Sequence, residues 1–322
     1  MDSLQTLFII GSGAIGKALA VFLQLEGRRV ILLKGHIHQG RSETQTVCVE
    51  MADGSVSQTE VTIHTLDAFS ELPGIVVLAN KSFGNERLAQ LLRAKTGNSP
   101  IVLLQNGLGV EAPFLRAGYP SVYRCVLFVT SQVRDQGRVR FRPVSVCPVG
   151  VVRGNASQLK EVVRWLDTEN FHFSAISDLG PIVWKKAIVN CVFNSICALL
   201  ETDNGIFHRN SEALALGRRV IAECTSLAQL QGIAVGAAEA EASLLEISRR
   251  SDGQQISTLQ DIRMGRRTEI DTLNIEMARI AVGLQQPELV QQTQLLGELT
   301  RLKAELAMAR HRPGEILPDK ET

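Results

Sequence analysis

A glycine pattern set between two apolar runs restricts this chain more than any other feature. Phe8-Ile9-Ile10 leads into Gly11-Ser12-Gly13-Ala14-Ile15-Gly16, and Lys17-Ala18-Leu19-Ala20-Val21-Phe22-Leu23 follows. The order is strand, G-x-G-x-x-G turn, helix. The first glycine permits a tight turn, the second lets backbone approach a pyrophosphate, and the third lets helix and strand pack closely, with the helix N-terminus facing the anion. Glycine-rich surface loops carry the same letters, so the flanking strand and helix make the signal specific for dinucleotide binding. Gly11, Ser12, Gly13, Ala14, Ile15 and Gly16 are therefore expected cofactor contacts.

The chain has 322 residues, enough for two domains. Val-, Ile- and Leu-rich runs at residues 7–10, 30–33, 75–78, 101–104 and 122–129 predict strands covered on both faces, spaced by helix-length segments. Residues 45–63 predict a hairpin turning at Asp53-Gly54, 139–151 a further strand, and 155–169 a helix. After Leu179-Gly180-Pro181 the pattern becomes long helical periodicity. The expected architecture is an α/β Rossmann-type doubly wound sheet in residues 1–178 and an all-α domain in 179–312. A polar tail, 313–322, is bracketed by Pro313 and Pro318.

Charge narrows the function classes. Lys and Arg number 34 against 33 Asp and Glu, net +1, so no overall field attracts nucleic acid or an anionic membrane. The 6 cysteines form no C-x-x-C pair, and the nearest two, Cys191 and Cys197, share one apolar segment. Buried thiols in a reducing compartment fit that pattern better than zinc or disulfides. The start, MDSLQTLFIIGSG, lacks a basic region and a long apolar run. The uncharged stretch 187–200 contains two asparagines and is too short to span a bilayer. A cytoplasmic protein is expected. His36 and His38 have no carboxylate beside them, so no metal site is expected.

Cofactor choice depends on the end of the second strand, where an acidic residue would bind the ribose 2′-hydroxyl of NAD. From residue 27 to 42 there is none, whereas Arg28, Arg29, Lys34 and Arg41 supply positive charge. Lys34, directly after the strand, is placed to meet a 2′-phosphate, which favours NADPH, although solvated surface cations would look the same. Farther on, Lys186, Asn190 and Asn194 recur at i, i+4 and i+8 in an otherwise hydrophobic helix and share one face. Polar groups buried there need partners, and a polar ligand would provide them. A lysine in that setting has its pKa lowered by desolvation and can protonate a carbonyl oxygen, unless it snorkels to solvent.

A second polar block runs from Ser257-Thr258-Leu259-Gln260-Asp261 to Gly265-Arg266-Arg267-Thr268-Glu269-Ile270-Asp271, and Gln105-Asn106-Gly107-Leu108-Gly109 follows the fourth strand. By themselves these read equally as a helix cap, a solvated face and an ordinary turn. Together with the glycine turn, Lys81, Trp184-Lys185-Lys186-Ala187-Ile188-Val189-Asn190, Asn194 and Asn204-Gly205, the chain resembles the ketopantoate reductase (2-dehydropantoate 2-reductase) family. The resemblance spans both domains. It implies NADPH-dependent reduction of ketopantoate to pantoate, in pantothenate and coenzyme A synthesis, within a cleft between the domains. Lys186 would be the general acid, and Glu269 would contact the cofactor ribose and orient Lys186. Asn106 would lie near nicotinamide and substrate. Asn190, Asn194, Asn204 and Ser257 would hold the substrate, and Lys34 and Lys81 the cofactor. The partner implied is a small 2-oxo acid, and a homodimer is left open.

Departures from the family pattern exist. Lys34 stands where the family has arginine, so a point charge replaces a fork and a weaker preference for NADPH is expected. Leu273-Asn274 is followed by Ile275 in place of glycine, and residues 252–256 differ from the family's run before Ser257. A reductase of another 2-oxo acid and a non-catalytic NADPH sensor are the alternatives.

Overall fold

A computed structural model describes residues 6–34, 42–135 and 137–311. His36, His38 and Arg41 and the tail 313–322 lie outside them. The chain divides into two compact units between Leu179 and Gly180.

In the first unit the strands are β1 (Thr6–Ile10), β2 (Arg29–Leu33), β3 (Glu43–Met51), β4 (Val56–His64), β5 (Ile75–Leu78) and β6 (Ile101–Leu103). They continue with β7 (Val122–Cys125), β8 (Val129–Asp135), β9 (Arg138–Pro143), β10 (Cys147–Arg153) and β11 (Phe173–Ala175). The described strands form a single sheet in the order β11-β10-β7-β6-β5-β1-β2-β4-β3-β9-β8. Its centre is parallel, with Ile10 beside Leu33 on one side and Leu78 on the other.

Residues on β1 alternate between two cores, as strand geometry requires. Leu7 and Ile9 pack with Leu19 and Phe22 of α1 (Ala14–Leu25) and Leu159 of α4 (Ala156–Leu166). Phe8 and Ile10 pack with Leu88 and Leu92 of α2 (Asn85–Thr96) and Phe114 of α3 (Ala112–Arg116). Helices thus cover both faces, and the doubly wound Rossmann-type sheet is present.

Two expected strands divide. Residues 122–129 are not continuous: β7 ends at Cys125 inside the parallel core, while β8 lies at the far edge, antiparallel to β9. An apolar run reads the same whether the chain stays in one sheet position or crosses to another. Residues 139–151 likewise separate into β9 and β10 past Pro143. The hairpin occurs as β3 and β4 around Asp53-Gly54, where Gly54 takes φ +86° and Asp53 accepts from the Ser55 N–H at 2.9 Å.

The second unit contains α5 (Gly180–Val192), α6 (Ile206–Arg209), α7 (Ser211–Leu230), α8 (Ala237–Arg250), α9 (Ser257–Arg263), α10 (Asn274–Gly283) and α11 (Gln291–Arg310), and no strand among its described residues. Its centre is α5, whose Ile188, Cys191 and Val192 are fully buried. A π-helical turn, Phe193–Cys197, continues it, and the Phe193 ring meets Phe207 edge-on at 5.1 Å.

Candidate active site

In the first unit the site grows from the carboxyl ends of the parallel strands. Gly11 follows β1 at φ +118°, and its N–H donates to Leu33 C=O at 2.8 Å. A Cβ on Gly11 would stand 2.5 Å from the Asn80 nitrogen, and one on Gly16 would stand 1.8 Å from the Gly11 oxygen. Both positions therefore require glycine for packing. Gly13 differs: the space its Cβ would fill is open within 4 Å, and it precedes α1 with no side chain capping the helix. Exposed N–H donors at a helix N-terminus, with room for an approaching anion, are what a pyrophosphate needs. Ser12, Ala14 and Ile15 line the same partly exposed turn.

Lys34 directly follows β2, and its Nζ lies 3.6 Å from a Glu43 carboxylate oxygen on β3. Lys17, on α1, is 9% exposed; burial draws its ammonium pKa down, and the charge of Glu43 acts the other way. The acid-free stretch 27–42 ends one position before Glu43, which the hairpin brings against Lys34. An acceptor therefore accompanies the cation.

Lys81 follows β5, and Asn106 follows β6; both are half-buried. The two loops are locked by a buried amide pair absent from the sequence expectations. Gln105 donates to Asn85 Oδ1 at 2.9 Å and to Asn80 C=O at 3.0 Å, and Asn85 donates back to Gln105 Oε1 at 2.7 Å. Behind Asn106, the buried Arg124 donates to Gly107 C=O and to the Glu111 carboxylate, each at 2.6 Å. Gly107 and Gly109 take φ of +95° and +67°, so this turn depends on glycine. Desolvation lowers the Arg124 pKa, and Glu111 offsets part of that effect.

In the second unit the polar stripe is present. Lys186 and Asn190 are half-buried, whereas Asn194 is 4% exposed. The Asn194 amide is occupied internally: Thr258 Oγ1 donates to its Oδ1 at 2.7 Å, and its Nδ2 donates to Asn190 C=O at 3.0 Å. It ties the exposed Ser257, at the start of α9, to the end of α5. Asn204 joins the same region, because its N–H donates to Gln254 C=O at 2.9 Å and Ser248 Oγ donates to its C=O at 2.7 Å. Its own Oδ1 is buried and has no protein partner.

Asp203 anchors that loop, accepting from Gly205 N–H at 2.7 Å and from Arg209 at 2.8 and 2.9 Å. Burial alone would raise the Asp203 pKa; hydrogen bonds from Arg209, Gly205 and Gly253 outweigh it and hold the carboxyl below its ordinary value. Glu269 is half-buried before a short turn, where its C=O accepts from Thr272 N–H at 3.0 Å.

The fold class is thus a doubly wound Rossmann-type sheet with a glycine turn after its first strand, followed by a helical unit bearing a polar stripe. Residues 7–154 match the family described as Ketopantoate reductase PanE/ApbA, and residues 178–299 match its C-terminal counterpart. The chain belongs to the ketopantoate reductase family. A 2-dehydropantoate 2-reductase of Pyrococcus abyssi is 26% identical over 286 residues, 87% of this chain and 93% of that protein. The crystal structure of a PanE/ApbA family ketopantoate reductase from Ralstonia eutropha superposes with TM-score 0.81 at 22% identity, covering 94% of this chain and 99% of that one. D-mandelate dehydrogenase with NADH and anilino(oxo)acetate superposes with TM-score 0.78 at 18% identity, covering 94% and 99%. These likenesses support the fold.

Proposed function

We propose that this protein reduces 2-dehydropantoate (ketopantoate) to pantoate, with NADPH as the preferred reductant, in pantothenate and coenzyme A synthesis. The observation that carries the reading is a half-buried lysine on an apolar helix, in the same unit as a buried amide oxygen, Asn204 Oδ1, that has no protein partner. Such an orphan acceptor is costly unless a ligand satisfies it. A substrate hydroxyl supplies the missing donor.

In this reading the first unit holds the dinucleotide. Residues 11–16 receive the pyrophosphate, Lys34 the 2′-phosphate, and Lys81 and Asn106 the nicotinamide half, with Glu269 of the second unit on the ribose. The uncapped start of α1 and the open space at Gly13 fit that group. Bound there, the reduced nicotinamide supplies hydride to the C2 carbonyl. Lys186 gives its proton to the carbonyl oxygen as negative charge develops there, and Glu269 orients it. Asn190, Asn204 and Ser257 hold the carboxylate and hydroxyl groups. Asn194 acts from beneath, presenting Asn190 and Ser257 through its internal bonds. A cytoplasmic, reducing setting completes the proposal and suits the five buried cysteine thiols.

Steady-state assays with ketopantoate, run with NADPH and then NADH, test the substrate and cofactor. Lys186→Ala is expected to lower kcat about 10²- to 10⁴-fold, with NADPH affinity nearly unchanged by fluorescence titration. Near-normal turnover would remove Lys186 as the acid. The D-mandelate dehydrogenase likeness supports a second reading, reduction of an aryl 2-oxo acid; a substrate panel that ranks such acids above ketopantoate would establish it.

A further inference from the structure

The backbone of Asn204 is fixed from two directions. Its N–H donates to Gln254 C=O at 2.9 Å, and its C=O accepts from Ser248 Oγ at 2.7 Å, while its own amide Oδ1 stays buried without a protein partner. Ser248 lies on α8 and is 0% exposed, so protein neighbours alone decide where its hydrogen points. Two of those contacts come from one residue of α6. The His208 N–H, a donor in the first turn of that helix with no partner inside it, reaches Ser248 Oγ at 3.2 Å, and His208 Nδ1 lies 3.1 Å from the same oxygen.

A hydroxyl has one hydrogen, and the short bond to Asn204 uses it. Toward His208 the oxygen can then only accept, so Nδ1 must carry a proton. The opposite tautomer breaks this chain of bonds. It would turn a bare Nδ1 lone pair toward Ser248, the serine hydrogen would rotate to meet it, and Asn204 C=O would lose its donor. Little is gained on the far side of the ring, where Nε2 stands 3.7 Å from Asp252 Oδ2, outside ordinary hydrogen-bond range. Asp252 is engaged by Arg209, which also holds Asp203. Asp252 and Gln254 belong to the segment 252–256 that departs from the family pattern, so the departure falls directly behind Asn204.

We propose that His208 is a positioning residue for the substrate: by donating from Nδ1 to Ser248 it directs the serine hydrogen onto Asn204 C=O and fixes the loop whose amide meets the substrate. The proposal rests on the reading of Asn204 as a substrate contact; His208 itself touches neither substrate nor cofactor. The test uses the full chain with ketopantoate and NADPH. Ser248→Ala and His208→Gln remove the hydroxyl and the Nδ1 donor, and each is expected to raise KM for ketopantoate about tenfold, with kcat and NADPH affinity nearly unchanged. His208→Asn is expected to restore the wild-type KM, because its amide nitrogen stands where Nδ1 stood, whereas the amide of Gln reaches the Nε2 position. The His208 side chain is 23% exposed, so either amide fits the fold. Hydrogen exchange across residues 203–209, read by mass spectrometry, is expected to quicken in Ser248→Ala and His208→Gln and to stay at the wild-type rate in His208→Asn. A wild-type chain inactive on ketopantoate would overturn the substrate reading and the positioning role with it. An active wild type whose KM ignores Ser248→Ala and His208→Gln would overturn the proposal alone. Equal losses in His208→Asn and His208→Gln would refute the role of Nδ1, and a fall in kcat or NADPH affinity as large as the rise in KM would reduce the contact to a structural one.

Discussion

Arg124→Met tests whether the loop carrying Asn106 is held from behind. The Arg124 side chain is 5% exposed, and its partner Glu111 is 27% exposed. Two charge-assisted bonds disappear with the guanidinium, each worth roughly 1.5–3 kcal/mol in a buried setting. Glu111 recovers part of its share from water, and the methionine returns about 1–2 kcal/mol of apolar burial. Arg124 Nε is already without a partner, which lowers what the native pair contributes. The net loss is about 3 kcal/mol, within the range for breaking a buried pair. For a unit ending at Leu179, that corresponds to a fall of about 6–12 °C in its Tm.

Thermal unfolding followed by circular dichroism, with Glu111→Gln and the double variant completing the cycle, gives the coupling energy. Because Gly107 C=O also loses its donor, Arg124→Met is expected to exceed Glu111→Gln in cost and to raise KM for the dinucleotide more than it lowers kcat. Additive losses, or a destabilisation below about 0.5 kcal/mol, would refute the argument.

Other outcomes follow from the same geometry. Gly13→Ala is expected to leave stability within about 0.5 kcal/mol, since φ is −78° and the space is open, while weakening dinucleotide binding at least tenfold; Gly16→Ala, whose methyl would overlap the Gly11 oxygen, is expected to lose the folded unit. Thermal melts and fluorescence titration separate the two effects. Lys34→Ala is expected to lower the NADPH-to-NADH ratio of kcat/KM about tenfold, and Glu43→Gln to raise it, because Glu43 competes with a phosphate for Lys34. The stabilisation from ionised Asp203, whose folded pKa is lowered, is complete above its ordinary value of 3.8 and is lost as pH falls through the lower folded value. Asp203→Asn is therefore expected to flatten the acid limb of stability measured by urea unfolding across that window.

Part of the candidate site was legible because its residues act locally. Gly16 is dictated by its contact with Gly11 inside one strand–turn–helix unit, although Gly11 itself is fixed by Asn80 beyond β5, and Lys186, Asn190 and Asn194 share a face because a helix repeats every 3.6 residues. The support around them was not legible. Gln105 reaches Asn85, Arg124 reaches Gly107, and Glu43 reaches Lys34 through bonds between separate elements. Nothing in a window of sequence distinguishes Arg124 from a surface arginine. Asn194 shows the intermediate case: periodicity identified its face, whereas its bond to Thr258, 64 positions away, determines what its amide does.

From the sequence alone came the class of each half: near-continuous apolar strand runs spaced by helix-length segments require a sheet covered on both sides, and amphipathic periodicity without strands requires a helical domain. Tertiary structure decided where strands such as β8 lie and which polar groups remain available. The physical reason is range. Backbone propensity and side-chain periodicity act within a few residues, whereas burial, hydrogen-bond satisfaction and the close approach of Gly11 to Asn80 depend on partners that only the folded chain brings together.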